Sequence, residues 1–234
     1  MLVSIDKEGS PMLRLTLNDQ YDTMPWELID AVVFDVGNVL LSFAPMKEII
    51  QERLPEHPEL HQLLLKKTVQ SPYWIMLDHG TITQEEAIVA MTGREKALEP
   101  YIRRVMGDKL RLNNALPEGV AALKACKAHG KKLYVLSNYQ DAAFDYAVQT
   151  HDFFRLFDGF VVSARVGMVK PDPAIYRHLT ETFRLEPSRT LFIDDSNANV
   201  EAALHAGWQG LHYSEMGLLT KFFCEDESPQ TLEI

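Results

Sequence analysis

The stretch Phe34-Asp35-Val36-Gly37-Asn38-Val39-Leu40 decides the fold of this chain. It follows the apolar run Ala31-Val32-Val33, and a continuous apolar run bounded by turn residues is typical of a buried strand in a parallel sheet. Open α/β folds place their ligands at the carboxyl edge of such a sheet, where Asp35 stands. By itself, this segment also fits an aspartate that only caps a turn.

Three later apolar runs end in polar residues in the same way. The runs cover residues 133–136, 160–162 and 191–193, and the polar residues after them include Ser137 with Asn138, Lys170, and Asp194 with Asp195. Parallel strands that end at one edge would bring these groups next to Asp35. A carboxylate, hydroxyl and amide donors, a lysine and a carboxylate pair suit the binding of a phosphoryl group and a divalent metal.

Strand and helix patterns alternate over the second half of the chain. Helices are predicted over 118–129, 142–150 and 173–183 and in the segment that ends at Gly207, and strands over 133–137, 160–163, 190–194 and 211–213. Asp172-Pro173 is a typical helix start, and Gly130 is a typical residue just after a helix end. This alternation predicts an α/β fold with a doubly wound parallel sheet.

The chain between the first strand and this second half is helical in character. Residues 46–54, 59–69 and 94–106 carry apolar side chains at three- and four-residue spacings, and Thr83-Gln84-Glu85-Glu86 forms a capping-box pattern. No strand pattern interrupts the segment. We therefore predict a small all-helical domain over residues 45–112, inserted into an α/β core made of residues 30–44 and 113–223.

The two ends of the chain are predicted to lie outside the core. In the N-terminal extension, residues 1–29, Leu13, Leu15 and Leu17 alternate with polar residues, which is a strand period. An edge strand or hairpin and an artefact of start assignment at Met1 rather than Met24 both remain open. Residues 224–234 are acidic and polar and are predicted to form a tail.

Composition limits the classes of function. The 234 residues carry a formal net charge of -10, which argues against nucleic acid as a partner. The two cysteines, Cys126 and Cys224, lack metal-ligand spacing and indicate a reducing compartment. No apolar run has membrane-spanning length and the N-terminus has no signal-peptide pattern, so a cytoplasmic location without membrane partners is expected. The oligomeric state cannot be read from the sequence.

In their order and spacing, the four strand-end motifs resemble those of the haloacid dehalogenase-like (HAD) hydrolase superfamily. The resemblance spans residues 30–213, and its most specific parts are Lys170-Pro171-Asp172-Pro173 and Asp194-Asp195. It implies a Rossmann-like core with an inserted cap, Mg²⁺ as cofactor and a small phosphorylated substrate.

The resemblance also implies roles for individual residues. Asp35 would be the nucleophile that forms an aspartyl phosphate. The metal would be bound by Asp35, the backbone carbonyl of Gly37 and Asp195, with Asp194 in the second shell or bound through water. The alternative for the Asp194-Asp195 pair is negative charge at a helix N-terminus.

The remaining motif residues would serve the phosphoryl group. Ser137 and Asn138 would donate hydrogen bonds to its oxygens, Asn138 mainly through its backbone N–H, and Lys170 would supply a fixed positive charge. Asn199 would orient Lys170 or the carboxylates. Asp172 is assigned to helix capping.

One position departs from the family pattern. Phosphatases of this superfamily usually carry Asp-x-Asp, whose second aspartate protonates the leaving group, but this chain has Gly37 there. Loss of a positioned acid costs about 10²–10⁴-fold in rate. The chain would be a weak enzyme, an inactive relative, or an enzyme whose substrate needs little acid help. It is similar to an Asp-x-Gly-Asn-Val branch that includes sugar-1-phosphate phosphatases, and an anomeric hydroxyl departs with little protonation.

The middle of the helical insert offers candidates for substrate specificity. Trp74 and His79 lie there with Tyr73 and Asp78, and His79 would also be able to replace the missing acid. The alternative interpretation is that Trp74 belongs to the core of the insert and His79 is a solvated turn residue.

Four functions fit these features to different degrees. The first is a magnesium-dependent phosphomonoesterase. The second is a 2-haloacid dehalogenase, in which a paired Asp194-Asp195 would have little to do because that class needs no metal. The third is a binding protein that keeps the pocket without turnover. The fourth is a phosphomutase, although mutases of the superfamily keep the second aspartate.

Overall fold

A computed structural model describes residues 4–5, 11–17, 20–42, 46–107 and 114–223. The strands are β1 Ser4–Ile5, β2 Pro11–Leu17, β3 Gln20–Pro25, β4 Ala31–Phe34, β5 Lys132–Ser137, β6 Gly159–Val162, β7 Thr190–Asp194 and β8 Gln209–His212. The helices are α1 Met46–Arg53, α2 His61–Lys67, α3 Pro72–Asp78, α4 Gln84–Thr92, α5 Glu99–Met106, α6 Pro117–Ala128, α7 Asp141–Thr150, α8 Ser163–Val166, α9 Pro173–Phe183, α10 Asn197–His205 and α11 Leu218–Phe223.

The main sheet is parallel and has five strands in the order β6-β5-β4-β7-β8. From β4 the chain first moves outward through β5 to β6, and it then returns to the other side of β4 to add β7 and β8. The strand order therefore reverses between β4 and β7, which is the switch point where open α/β sheets bind their ligands. The predicted doubly wound α/β fold is confirmed.

Helices cover both faces of this sheet because successive strand residues point to opposite sides. On one face, Phe34 and Val135 pack with Leu123 of α6 and Phe144 of α7. On the other face, Phe192 packs with buried side chains from α9, α10 and the following turn: Ile175, Tyr176, Leu179, Ala203 and Trp208. Both faces are buried, which explains why the strands read as continuous apolar runs rather than alternating ones.

The helical segment between β4 and α6 has a hydrophobic core of its own. That core includes Ile50, Leu64, Ile88 and Ile102, which come from four of its five helices. The predicted capping box at Thr83 is confirmed, since its side chain accepts from the backbone N–H of Glu86. The assignment of residues 45–112 as one domain stays a prediction, because both of its ends fall outside the described residues.

Three details of this segment differ from the sequence prediction. The helix predicted over 94–106 begins only at Glu99, after a 3-10 turn at Lys96–Leu98. Residues 59–69 were predicted to form one helix, but a 3-10 turn at Pro58–Leu60 precedes α2, which ends at Lys67. The helix α3 is not among the predicted helices, because it begins at a proline and proline usually interrupts a helix. Pro72 instead occupies the first helical turn, where its missing N–H costs no hydrogen bond.

The N-terminal strand pattern is confirmed. Strand β2 pairs antiparallel with both β1 and β3 in a separate three-stranded sheet, and β2 and β3 form a hairpin. The predicted tail over 224–234 lies outside the described residues. None of the described helices has the length and apolar character that crossing a membrane requires.

Candidate active site

Asp35 follows β4 directly at the switch point of the sheet. Its backbone N–H donates to the carbonyl of Ile193 in β7 at 2.9 Å, so the strand pairing fixes its place. The residue is 7% exposed. Its Oδ1 accepts from the Ser137 hydroxyl at 2.8 Å and lies 2.9 Å from the Lys170 ammonium. The first, second and third predicted motifs therefore meet at one carboxylate oxygen.

Lys170 joins Asp35 to the fourth motif. Its ammonium lies 2.6 Å from Oδ2 of Asp194 as well as 2.9 Å from Asp35, and its side chain is 1% exposed. Burial alone would lower the pKa of Lys170, but the charges of Asp35 and Asp194 raise it above its ordinary value. Lys170 therefore stays protonated and supplies one positive charge to two buried carboxylates.

Burial and the nearby charge of Asp194 show in the pKa of Asp35. Burial raises that pKa to about 6, against the opposing effect of the Lys170 ammonium, and the nearby Asp194 charge adds to the rise. A carboxylate in a low-dielectric site resists ionisation unless enough positive charge faces it. The Lys170 ammonium only partly offsets the burial of Asp35.

Asp194 is fully buried and fully engaged with donors. In addition to Lys170, its carboxylate accepts from the backbone N–H of Ser196 at 2.8 Å and from the Asn199 amide at 3.0 and 3.1 Å. Asn199, which was predicted to orient Lys170 or the carboxylates, thus contacts the carboxylate in this structure. These bonds hold the Asp194 side chain rigidly at the end of β7.

Asp195 is held from two sides. Its Oδ2 accepts from the side-chain amide of Asn38 at 2.9 Å. Its backbone carbonyl lies 3.0 Å from Nε2 of His212, and because a carbonyl can only accept, that nitrogen is the donor. Neither Asn38 nor His212 was among the predicted site residues.

Three carboxylates converge in a way that fits a divalent cation. One oxygen from each of Asp35, Asp194 and Asp195 lies within 4.8 Å of the others. Oxygen ligands suit a hard cation such as Mg²⁺. With Lys170 included, this cluster has three formal negative charges and one positive charge, so a divalent cation would leave it close to neutral.

Asn138 supports the lysine through its side chain. Its amide donates to the Lys170 carbonyl at 2.9 Å and accepts from the Lys170 N–H at 2.8 Å. The side chain is thus used to join the second and third motifs. The prediction that Asn138 would act on phosphate mainly through its backbone N–H is compatible with this arrangement.

The turn after Asp35 is short and firmly anchored. The carbonyl of Val36 accepts from the N–H groups of Leu40 and Leu41 at 2.9 Å, and the Asn38 N–H donates to Leu41 at 2.7 Å. Gly37 is buried and Asn38 has a φ of 54°, in the left-handed region. The predicted role of the Gly37 carbonyl as a metal ligand stays a prediction.

The helical segment contacts the core near the predicted specificity residues Trp74 and His79. Trp74 is partly buried and packs against the core of its own segment, as the alternative interpretation proposed. His79 follows the end of α3 and donates its backbone N–H to Ile75 at 2.9 Å. Asp78, which lies between Trp74 and His79 in the chain, contacts the core. Its side chain accepts from Gln140 at 3.2 Å and its carbonyl accepts from Ser163 at 2.5 Å.

Two cavities lie in this part of the structure. One, of about 540 Å³, is lined by Asn38, Asp195, His212 and Met216 among others, so it reaches the carboxylate cluster at Asp195. The other, of about 370 Å³, lies between the helical segment and the core and is lined by residues such as Leu77, Gln84 and Gln140.

The family of the chain follows from comparison with known proteins. Residues 29–207 match the haloacid dehalogenase-like hydrolases, and the chain belongs to that family. It is therefore a hydrolase of the HAD type.

Two curated relatives are phosphatases. The chain is 28% identical over 191 residues to sesquiterpene phosphatase astK of Aspergillus oryzae, an alignment that covers 79% of this chain and 90% of the relative. It is 24% identical over 190 residues to the phosphorylated carbohydrates phosphatase of Thermotoga maritima, covering 79% and 84%. Several other curated relatives are longer, and the alignment spans only 28–34% of their length.

Solved structures share the fold. The HAD family enzyme BT-2542 of Bacteroides thetaiotaomicron, in complex with magnesium and inorganic phosphate, aligns with a TM-score of 0.63 at 20% identity. That alignment covers 82% of this chain and 98% of the BT-2542 chain.

Proposed function

We propose that this chain is a magnesium-dependent phosphomonoesterase that acts on a small phosphorylated metabolite through an aspartyl phosphate. The observation that carries this proposal is the convergence of Asp35, Asp194 and Asp195 beside the buried ammonium of Lys170. Such a site combines a nucleophile with two sources of positive charge for a phosphoryl group, one from the chain and one from the metal.

In the first step, a carboxylate oxygen of Asp35 attacks the phosphorus, and the bond from phosphorus to the leaving oxygen breaks. The leaving oxygen keeps the electron pair of that bond and takes a proton from solvent. Water then attacks the phosphorus of the aspartyl phosphate and loses a proton to solvent, and the bond from phosphorus to the Asp35 oxygen breaks, which releases inorganic phosphate and restores the Asp35 carboxylate. Asp35 must be ionised to attack. Its pKa of about 6 in the metal-free protein means that added positive charge favours the reactive form.

The metal would bind beside the carboxylate oxygens of the site. Asp35, the Gly37 carbonyl and Asp195 would bind Mg²⁺, and Asp194 would act from the second shell because Lys170, Asn199 and Ser196 already engage its carboxylate. When bound, Mg²⁺ would neutralise charge on the carboxylates and on the phosphoryl oxygens.

The other motif residues would bind and position the phosphoryl group. Ser137 and the backbone N–H of Asn138 would donate to its oxygens, and Lys170 would stabilise the charge that builds up on them. Asn138 and Asn199 would also keep Lys170 and Asp194 in place through the hydrogen bonds described above.

A sugar 1-phosphate is the substrate class that the site chemistry favours. With Gly37 in place of an acid, the leaving oxygen departs without a proton from that position, which suits an anomeric oxygen better than an ordinary alcohol. The relative from Thermotoga maritima, named as a phosphatase of phosphorylated carbohydrates, supports this class. The name of the Aspergillus oryzae relative makes a sesquiterpene phosphate the alternative to include in any screen.

The helical segment would act as a cap that selects the substrate. Trp74 and His79 remain candidates for this role, together with Asp78, which contacts the core beside the phosphate-binding motif. Lids of this kind exclude water and complete a pocket when they close.

Phosphate release from a panel of sugar, terpenyl, aryl and alkyl phosphates, with Mg²⁺ and with EDTA, tests the proposal. We expect release only with Mg²⁺, and Asp35→Asn should abolish it. Asp195→Asn should abolish it or raise the Mg²⁺ concentration that is required. Full activity in EDTA would exclude the metal role, and an active Asp35→Asn protein would exclude the nucleophile.

A second candidate is hydrolysis of a 2-haloacid. The chain is 27% identical over 202 residues to (S)-2-haloacid dehalogenase H-109 of Pseudomonas putida. Halide release from 2-chloropropionate in EDTA would favour this function over phosphatase activity. Magnesium binding without turnover of any substrate would favour the third function, a binding protein.

A further inference from the structure

We propose that Asn38 is a positioning residue that holds the carboxylate of Asp195 in place for the divalent cation. The inference deepens the proposed function and rests on it for the identity of the cation. It starts from a hydrogen bond that joins residues 157 positions apart, from the Asn38 amide to Oδ2 of Asp195 at 2.9 Å.

The backbone at Asn38 is built for this contact. Its φ of 54° lies in the left-handed region, where side chains other than those of glycine, asparagine and aspartate are disfavoured. Its N–H donates to the carbonyl of Leu41 at 2.7 Å, and Leu41 is buried. The amide therefore projects from a rigid turn only three residues after the nucleophile.

Asp195 needs this hydrogen bond because the stronger donors nearby are bonded to Asp194. The carboxylate of Asp194 is fixed by the Lys170 ammonium, the Asn199 amide and a backbone N–H. For Asp195, the described hydrogen bonds come from Asn38 to the carboxylate and from His212 to the backbone carbonyl. His212 fixes where the main chain lies, and Asn38 fixes how the carboxylate turns.

The chemistry of an amide suits the task. A neutral N–H orients a carboxylate without cancelling its charge, so Asp195 keeps its full attraction for a cation. A lysine or arginine at this position would compete with the metal, and a second carboxylate would repel Asp195. By holding Oδ2, the amide also fixes the rotation of the Asp195 carboxylate, which contributes one oxygen to the cluster with Asp35 and Asp194.

The experiment measures magnesium binding by titration calorimetry on the full chain, without substrate. Asn38→Gly removes the amide and tolerates the left-handed backbone. Asn38→Ala also removes the amide, but alanine disfavours that backbone, so an effect common to both variants comes from loss of the amide. The matched control is Arg184→Gly, because Arg184 has the same φ of 54° and follows helix α9, which packs on one face of the sheet.

We expect the dissociation constant for Mg²⁺ to rise about tenfold in both Asn38 variants, which corresponds to about 1.4 kcal/mol. It should stay unchanged in Arg184→Gly. The metal-free melting temperature of Asn38→Gly should remain close to the natural value, and saturating Mg²⁺ should restore most of kcat.

Two outcomes would overturn the inference. Magnesium affinity within twofold of the natural protein in both Asn38 variants would show that Asp195 is oriented without the amide. Absence of Mg²⁺ binding to the natural protein would remove the cation itself. By contrast, a natural protein that binds Mg²⁺ but releases no phosphate overturns the proposed function and leaves the role of Asn38 standing.

Discussion

At the scale of single residues, Asp35 carries the clearest electrostatic signature. Its pKa is raised to about 6 from an ordinary value of 3.8, mainly by burial. Between these values the folded protein holds a proton that the unfolded chain has lost. The contribution of Asp35 to the stability of the metal-free protein is therefore present below pH 4 and is lost as the pH rises through 6.

This pH dependence predicts how Asp35→Asn changes the thermal stability of the protein in EDTA. At pH 7 to 8 the variant should melt at a higher temperature than the natural protein, since it buries no second charge and leaves Lys170 paired with Asp194. The difference should disappear below pH 4. Thermal melts across this range measure it, with Asp152→Asn as control because that carboxylate is 88% exposed and has the same charge. A variant less stable than the natural protein at pH 8 would contradict the assigned direction.

Gly37 sets the second prediction at this scale. Without an acid at this position, log kcat/KM should fall steeply as the leaving group becomes more basic. Gly37→Asp should help primary alkyl phosphates most, by up to about 10²–10⁴-fold. The residue of this turn with a positive φ is Asn38, and Gly37 is not among the glycines with a positive φ. An aspartate at position 37 therefore does not have to adopt a left-handed backbone.

The measurement is a plot of log kcat/KM against leaving-group pKa for both proteins, with a melting temperature to check folding. A flat line for the natural protein would show that another group already donates the proton or that chemistry does not limit the rate. A steep line that Gly37→Asp leaves unchanged would show that the new carboxyl is not protonated in place.

At the scale of elements, the sequence predicts the site residues whose positions follow directly from the end of a buried strand. Each buried strand reads as an apolar run, and parallel strands must end at one edge, so the meeting of Asp35, Ser137 and Asp194 was predictable. Lys170 lies beyond α8, and its place was predicted from the resemblance of its motif. The contact from Asn38 to Asp195 was not. It depends on the left-handed turn and on the lateral spacing of β4 and β7, and neither has a periodic pattern in the sequence.

Sequence reasoning also missed how the helical segment meets the core. A helix beginning at a proline is hard to separate from a break, so α3 was not predicted and Asp78 was not recognised as its contact residue. The contact involves Ser163, whose fully buried hydroxyl donates to the Asp78 carbonyl and accepts from the N–H of Tyr139 at 3.0 Å. The helical segment is thereby joined to the residue that follows Asn138.

Gly80 makes this junction testable. Its φ is 67°, and a Cβ added there would lie 2.1 Å from the backbone carbonyl oxygen of Ala164. Gly80→Ala should therefore displace α3 from the core, which lowers the melting temperature and raises KM. The matched control is Gly130→Ala, with a φ of 73°, where an added Cβ would meet nothing within 4 Å.

Both variants carry the cost of a left-handed alanine, about 1–2 kcal/mol, and only Gly80→Ala adds the collision with the core. Melting temperatures and Michaelis constants for two substrates of different size measure the difference. Equal losses in the two variants would show that the junction at Ala164 is not needed for either stability or substrate binding.

At the scale of the whole molecule, the chain and its proposed substrate both carry negative charge. The chain has a net charge of -10, and yet its site must receive an anionic phosphoryl group. The positive charge is local, with Lys170 inside the carboxylate cluster and the metal expected beside it. An acidic protein can therefore bind a small phosphate ester through positive charge that is local to its site.

Trapping of the covalent intermediate tests the central claim most directly. The protein is mixed with a good aryl phosphate and Mg²⁺, quenched in acid within one turnover, and digested for mass spectrometry. We predict one added phosphoryl group on the peptide that contains Asp35, absent in EDTA and absent in Asp35→Asn. Phosphate release in a burst without any phosphoryl group on that peptide, or with the group on another residue, would contradict the account.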